Sequence, residues 1–178
     1  MIISRIAYRY AKSLYELSKE QNALDTVKED MTLVLTAITD SRELANLLKS
    51  PIVSLDKKSV ILSKIFEGKV SKNASSLISL LVKKGRESEL AGVAQSFLNI
   101  FNEENNIVKA KLTTAIALED NLKADFLKVA ENISGKKVEL TEVVDEEVIG
   151  GYVLRFEDTQ LDASVKTKLN KVKQKLFQ

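Results

Sequence analysis

The sequence predicts an α+β protein of two domains: a six-helix bundle over residues 1–105, then a small C-terminal α/β unit over 106–178 with element order βαββα. Three observations carry that prediction. Apolar residues recur every three to four positions as far as Phe101, the period of helices packed on one side. After Glu103-Glu104-Asn105-Asn106 the period drops to two: Val108, Ala110, Leu112, Thr114 and Ile116 alternate with Lys109, Lys111 and Thr113, as in a half-buried strand. The stretch Val144 to Phe156 reads as strand, short acidic turn, strand, with alternating β-branched runs on either side of Asp145-Glu146-Glu147. Gly150-Gly151 falls inside the second run, where glycine supplies no packing. Such a pair implies a bulge, or a close backbone approach that seats the sheet against its own helix or a partner.

The helices follow in order. Residues near Ile3 to Gln21 form the first, with Arg5, Arg9, Lys12, Glu16 and Lys19 on one sector and an apolar arc of roughly 200° elsewhere, about twice what a surface helix needs. Two readings fit so wide an arc: central burial in the bundle, or one side on the core and the other lining a groove. The second helix, Leu24 to Ile38, has an ordinary one-sided face of Leu24, Val27, Met31, Val34, Leu35 and Ile38. Ser41 caps a short third helix, which Ser50-Pro51 ends because the residue before proline is driven out of the helical region. A fourth carries Val60, Ile61, Ile65 and Phe66 and closes at Gly68. The fifth, Lys72 to Lys84, again spreads its apolar residues over roughly 200° and stops at Gly85. The sixth presents Leu90, Val93, Ala94, Phe97, Leu98, Ile100 and Phe101 on one broad face.

Beyond the first strand, Asp120 opens a helix with Leu122, Phe126, Val129, Ala130 and Ile133, stopped by Gly135. Val138, Leu140, Glu142 and Val144 give the next strand, and the glycine-bearing strand follows. Asp162 then caps a last helix with Val165, Leu169, Val172 and Leu176 on one face. That helix carries five lysines and no acid after Asp162: a solvated face, a site for an acidic protein partner, or phosphate contacts. Nucleic acid fits poorly, because the tail has one aromatic, Phe177, and no interleaving of basic with aromatic residues.

Composition narrows the chemistry. The chain has 178 residues, 44% hydrophobic and 29% charged, with one proline and a net charge of +2. It has neither cysteine nor histidine, which removes thiol nucleophiles, disulfides, the common metal ligands and the usual general base at neutral pH. No phosphate-cradling glycine loop or nucleophile elbow is present. The carboxylates of Asp145-Glu146-Glu147 and Glu157-Asp158 have no base or stabiliser beside them in sequence, so no catalytic set can be assembled. No apolar run approaches a membrane span and no signal peptide opens the chain, so a bacterial cytoplasmic product is expected.

Arg9-Tyr10-Ala11-Lys12-Ser13-Leu14-Tyr15-Glu16-Leu17 resembles the opening signature of the delta subunit of F-type ATP synthase, the family of the mitochondrial oligomycin-sensitivity-conferring protein. Leu48-Lys49-Ser50-Pro51-Ile52 with Lys57, then Lys84-Gly85-Arg86 with Leu90 and Phe97, resemble its next landmarks. So do Asp145, Ile149-Gly150-Gly151, Val153, Asp158 and Asp162-Ala163-Ser164-Val165 with Leu169. Glu157 departs from a usual glycine, Glu87 from a usual hydrophobic residue, and Ser13 and Ser18 from small alanines.

The resemblance implies a non-catalytic stator part without cofactor, metal, nucleotide or nucleic acid, tied to the cytoplasmic face of a bacterial inner membrane only through its complex. It implies that a groove between the first and fifth helices receives the N-terminal helix of an alpha subunit of the catalytic head, with Tyr10, Ala11, Leu14, Leu77, Ile78 and Leu81 as lining. It also implies that the C-terminal domain joins the b subunits of the peripheral stalk, through Val165, Leu169, Val172, Lys168 and Lys171. The rival reading is a basic-tailed nucleic-acid or ribosome-associated module built on the last helix, which would bind RNA with a steep salt dependence.

Overall fold

Helix capping sets the order of the first unit. Ser4, Ser41 and Ser71 each accept a backbone N–H at the start of a helix, and Gly68 and Gly85 take the left-handed conformation just past the end of one. Behind Gly85 the backbone closes a full Schellman motif: the Arg86 N–H reaches the Leu81 carbonyl and the Gly85 N–H reaches that of Val82. The resulting helices are α1 (Arg5–Glu20), α2 (Leu24–Asp40), α3 (Arg42–Lys49), α4 (Leu55–Phe66), α5 (Lys72–Lys83) and α6 (Leu90–Glu104), with a single 3₁₀ turn, Glu87–Glu89, ahead of α6.

The computed structural model describes residues 4–115, 120–145, 148, 150–156 and 159–176, without the side chains of 120, 121, 124, 159, 171, 172, 175 and 176. The chain separates into two units, Met1–Asn102 and Glu103–Gln178, a division inside the last turn of α6 and slightly ahead of the Asn105-Asn106 boundary expected. Ile3, Ile116, Glu146, Glu147, Ile149, Glu157, Asp158 and Phe177 lie outside the described residues.

The core of the first unit draws on every helix. Ala7, Ala11 and Leu14 of α1, Val27, Met31 and Val34 of α2, Leu44 and Leu48 of α3, Leu62 of α4, Leu77 and Leu81 of α5, and Leu90, Val93 and Phe97 of α6 are all buried. Among the described residues five polar ones of this unit are buried with them, Ser18, Asp30, Lys58, Glu87 and Ser96, and two of these form an ion pair. Lys58 of α4 donates to Glu87 Oε1 at 2.6 Å and to the Leu48 carbonyl at 3.2 Å. The Leu48 carbonyl belongs to the last turn of α3, where a helix leaves its acceptors unsatisfied. One lysine therefore joins the end of α3, the start of α4 and the 3₁₀ turn. Glu87, the residue that departs from the family's hydrophobic pattern, is the counter-ion; its Oε2 has no partner among the described residues.

The second unit is a four-stranded sheet, β1 (Ile107–Thr114), β2 (Lys137–Val144), β3 (Tyr152–Phe156) and β4 (Thr159–Asp162), with α7 (Asp120–Ser134) between β1 and β2 and α8 (Val165–Leu176) at the end. The spatial order is β2-β1-β3-β4. β1 lies parallel to β2, as a crossover through α7 requires, and antiparallel to β3. The strand–turn–strand expectation is corrected here. β2 and β3 are not neighbours, because β1 lies between them. Just past the end of β2 the Asp145 N–H bonds to the carbonyl of Thr114, the last residue of β1, at 2.8 Å.

The fourth strand is an addition to the expected βαββα order. Thr159-Gln160-Leu161-Asp162 has one apolar residue and no alternation, so its strand character comes from pairing with β3 and not from its own pattern. The glycine pair sits just ahead of β3 instead of within it, and it is a place of close approach. Gly151 has φ +82°, and a Cβ there would stand 2.5 Å from the Ala163 carbonyl oxygen. The Val165 N–H bonds to the Gly150 carbonyl at 2.9 Å, fixing the first residue of α8 to the sheet. The cap of α8 is also corrected: Ser164 Oγ accepts the Thr167 N–H. Asp162 instead holds the cap, accepting from the Ser164 N–H and the Thr167 hydroxyl, each at 2.9 Å.

The buried pair makes a stability prediction. Lys58→Met strands the Glu87 carboxylate and lowers unfolding free energy by about 3–5 kcal/mol, whereas Lys58→Met combined with Glu87→Leu recovers most of that loss. Urea unfolding followed by circular dichroism checks it; equal losses in the single and double variants would refute the charge-stranding account.

Candidate functional site

Two helices of the first unit carry more apolar surface than the core takes. At about 100° per residue, Tyr10, Leu14, Leu17 and Gln21 form one row along α1 and its cap, at spacing i, i+4, i+7, i+11. Asn73, Leu77, Leu80 and Lys84 form a row of the same spacing on α5. The rows face each other in opposite chain directions. The Asn73 side-chain amide donates to Gln21 Oε1 at 2.8 Å at one end. At the other, the Arg86 guanidinium donates to the Tyr10 hydroxyl at 3.1 Å.

Between these polar ends lie four leucines. Leu14 and Leu77 are buried and form a floor; Leu17 and Leu80 are each 42% exposed and form walls. Ile6, 38% exposed, continues the α1 wall one turn further. From Tyr10 to Gln21 the strip runs about 16 Å, or three helical turns.

The expected lining residues divide accordingly. Tyr10 is half-buried at the strip, and Ala11, Leu14, Leu77 and Leu81 are buried in the bundle's own core. Ile78 faces the other side of α5, where it borders a cavity of about 180 Å³ with Leu62 and Phe66 of α4. Leu17, Leu80 and Ile6 were not among the expected lining. The wide apolar arcs contained all three, but the arc alone does not say which flank a neighbouring helix covers.

The second unit has an open strip of different chemistry. Val165 is half-exposed and Leu169 is 61% exposed, so this face of α8 is not taken up by the sheet's core of Val108, Ala110, Leu112, Ala130, Val138, Leu154 and Phe156. Lys166, Lys168 and Lys173 are exposed along the same helix. Lys171 and Val172 lie in α8, with side chains outside the described residues. The α8 strip is apolar at its centre and cationic around it.

Among the described residues no group of three or more carboxylates could hold a metal ion, and no helix is long and apolar enough to cross a membrane. What the arrangement offers is contact surface.

Comparison with known proteins gives this surface a context. The family model of the ATP synthase delta (OSCP) subunit matches residues 6–176. The ATP synthase subunit delta of Cytophaga hutchinsonii is 40% identical over 172 residues, covering 97% of this chain and 94% of that protein. That of Desulforamulus reducens is 38% identical over 177 residues, covering 99% and 98%. Among solved structures, a chain of the Toxoplasma gondii mitochondrial ATP synthase hexamer superposes with a TM-score of 0.70 at 24% identity, over 98% of this chain and 99% of that one, a likeness of fold.

The division between floor and wall is testable without any partner. Leu14→Asp or Leu81→Asp puts a carboxylate into the packed core and unfolds the first unit, whereas Leu17→Asp and Leu80→Asp leave the melting temperature within a few degrees of the parent. Thermal denaturation of the four variants checks it; a collapse of the Leu80→Asp protein would show the wall to be core.

Proposed function

The chain belongs to the ATP synthase delta (OSCP) family, and from that premise we propose that it links the catalytic head to the stationary stalk through the two open strips. The family's subunit is a structural stator component and not an enzyme, with partners in the F1 head and in the peripheral stalk. That context displaces the nucleic-acid reading of the lysine-rich helix.

In this reading the α1–α5 strip receives the N-terminal helix of an alpha subunit. The observation that carries it is the pair of matched rows: apolar, about three turns long, and bounded at both ends by polar side chains already bonded to each other. An amphipathic helix laid there, with anchors at i, i+3, i+4 and i+7, covers Leu17 and Leu80 and rests on Leu14 and Leu77. Tyr10, Ala11 and Leu81 support the floor, and Ile78 acts from the far side of α5.

The α8 strip meets the b subunits. Val165 and Leu169 supply the apolar seam and Lys168 selects an acidic stalk helix, while Val172 and Lys171, expected at the same contact, have side chains outside the described residues. The chain is then held at the cytoplasmic face of the bacterial inner membrane by its complex alone.

Mechanically, the central stalk exerts torque on the head as it turns. Without a fixed link the head turns with it, and proton flow no longer drives synthesis. Such a link needs apolar contact at each end, which both strips offer, and no bond-making group.

Calorimetric titration of the full chain with a peptide copy of the source organism's alpha-subunit N-terminal helix tests the first contact. One-to-one saturable binding is expected, weakened by about tenfold or more in Leu17→Asp/Leu80→Asp. Unaltered affinity in that double variant would remove the strip from the alpha contact.

A further inference from the structure

The segment that joins α5 to α6 sends three charged side chains to three different places. Arg86 is exposed and reaches α1, where its guanidinium stands over the Tyr10 ring, 5.9 Å from the centroid, and donates to the Tyr10 hydroxyl at 3.1 Å. Glu87 is buried and accepts from Lys58 of α4 at 2.6 Å. Glu89 accepts from the hydroxyl of Ser4, whose oxygen also caps α1. The closed end of the leucine strip and the buried ion pair are thus carried on adjacent residues, Arg86 and Glu87. Within the segment the Arg86 N–H bonds to the Leu81 carbonyl at 2.8 Å, and the Arg86 carbonyl accepts the Glu89 N–H at 3.0 Å. Those bonds shape the turn. Glu87 ties the turn to the rest of the bundle, since Lys58 also holds the Leu48 carbonyl at the end of α3.

Stability does not account for the pair. Both groups are desolvated, and Glu87 Oε2 has no partner among the described residues. Two apolar side chains of similar volume would fill the place as well or better. What an ion pair adds is one geometry, because a 2.6 Å charge-assisted bond admits few arrangements where an apolar contact admits many. Arg86 needs such help. A guanidinium over an exposed ring is a weak contact, and an exposed arginine chain has many rotamers. Where Arg86 stands therefore depends on where its backbone is held. Glu87 turns inward to Lys58 and Arg86 outward to Tyr10, so anchoring the first limits the reach of the second.

We propose that Lys58 and Glu87 are positioning residues for the α1–α5 strip: the buried pair holds the turn from inside, keeps Arg86 on Tyr10, and so fixes the stop against which a docked helix takes its register. The inference rests on the reading of the strip as a helix-docking site and adds the device that sets one end of it. Neither residue touches the docked helix. With the pair intact, the Tyr10 end of the strip is closed. With apolar side chains in its place the turn shifts, Arg86 leaves Tyr10, and the helix loses its single register.

The test uses the full chain and the peptide copy of the alpha-subunit N-terminal helix, comparing the parent with Lys58→Met/Glu87→Leu, Glu87→Gln, Lys58→Arg and Arg86→Gln. Two quantities are read: affinity by calorimetry, and the upfield NMR shift that the Tyr10 ring gives the Arg86 side-chain protons, assigned by its disappearance in Arg86→Gln. Lys58→Met/Glu87→Leu is expected to melt near the parent, to lose the upfield shift, and to bind the peptide about fivefold more weakly, with no further loss when Arg86→Gln is added. Glu87→Gln keeps the side-chain shape without its charge; it moves both readouts the same way and decides the matter if the double variant does not fold. Lys58→Arg, whose fork reaches both Glu87 oxygens, retains both. Parent-like shift and affinity in Lys58→Met/Glu87→Leu and in Glu87→Gln would overturn the positioning role, as would weaker binding with the Arg86 shift intact. Either result leaves the docking reading standing. A parent chain that does not bind the peptide would overturn the docking reading and this inference together.

Discussion

A helix in a small bundle can bury only the flank its neighbours reach, and the first unit depends on how α1 and α5 satisfy that limit. Their inner flanks go to the core through Ala7, Ala11, Leu14, Leu77 and Leu81. Their facing outer flanks leave Leu17 and Leu80 in water, apolar surface that the bundle itself does not bury. The hydrogen bonds at the two ends, Gln21 with Asn73 and Tyr10 with Arg86, hold the rows in register. The strip therefore exists before any partner arrives, and association need not spend entropy building it.

The second unit meets a different constraint, the meeting of sheet and terminal helix at Gly151. The backbone there lies too near Ala163 for any Cβ. That closeness, with the Gly150 carbonyl bonded to the Val165 N–H and the Asp162–Ser164–Thr167 cap beyond it, fixes the first turn of α8. Beyond that turn Leu169 is left exposed by the sheet. A firmly based helix that leaves Val165 and Leu169 open to water has apolar surface to offer another helix.

The helices were legible because their ends are chemically marked. Ser41, Gly68, Gly85 and Gly135 act locally, and the structure places each at a helix end as the residue type demands. What sequence could not supply is non-local. The partner of Glu87 is Lys58, 29 positions away, and no periodicity connects them. The place of β1 between β2 and β3 is set by the crossover through α7, so two strands adjacent in sequence are separated in space. β4 has no pattern of its own to read. For the candidate site, the width of the apolar arcs on α1 and α5 gave the quantity of surplus apolar surface. The assignment of Leu17 and Leu80 to the open flank needed the neighbouring helices in place.

The two units offer partners different chemistry, and the difference bears on how a stationary link could form and last. Apolar burial at the α1–α5 strip is non-directional and unaffected by moderate salt, so it supplies affinity. Exposed lysines such as those of α8 act by selection more than by affinity, favouring acidic surfaces and rejecting basic ones. With a net charge of only +2 over the whole chain, those cations are a local excess balanced by acids elsewhere. Local excess of this kind acts over roughly a Debye length, about 8 Å at physiological ionic strength, which is the reach of docking rather than of long-range steering. The opposed Lys111 and Arg155 show how local such an excess is: their mutual repulsion acts across one cross-strand pair and is a cost that the rest of the sheet offsets.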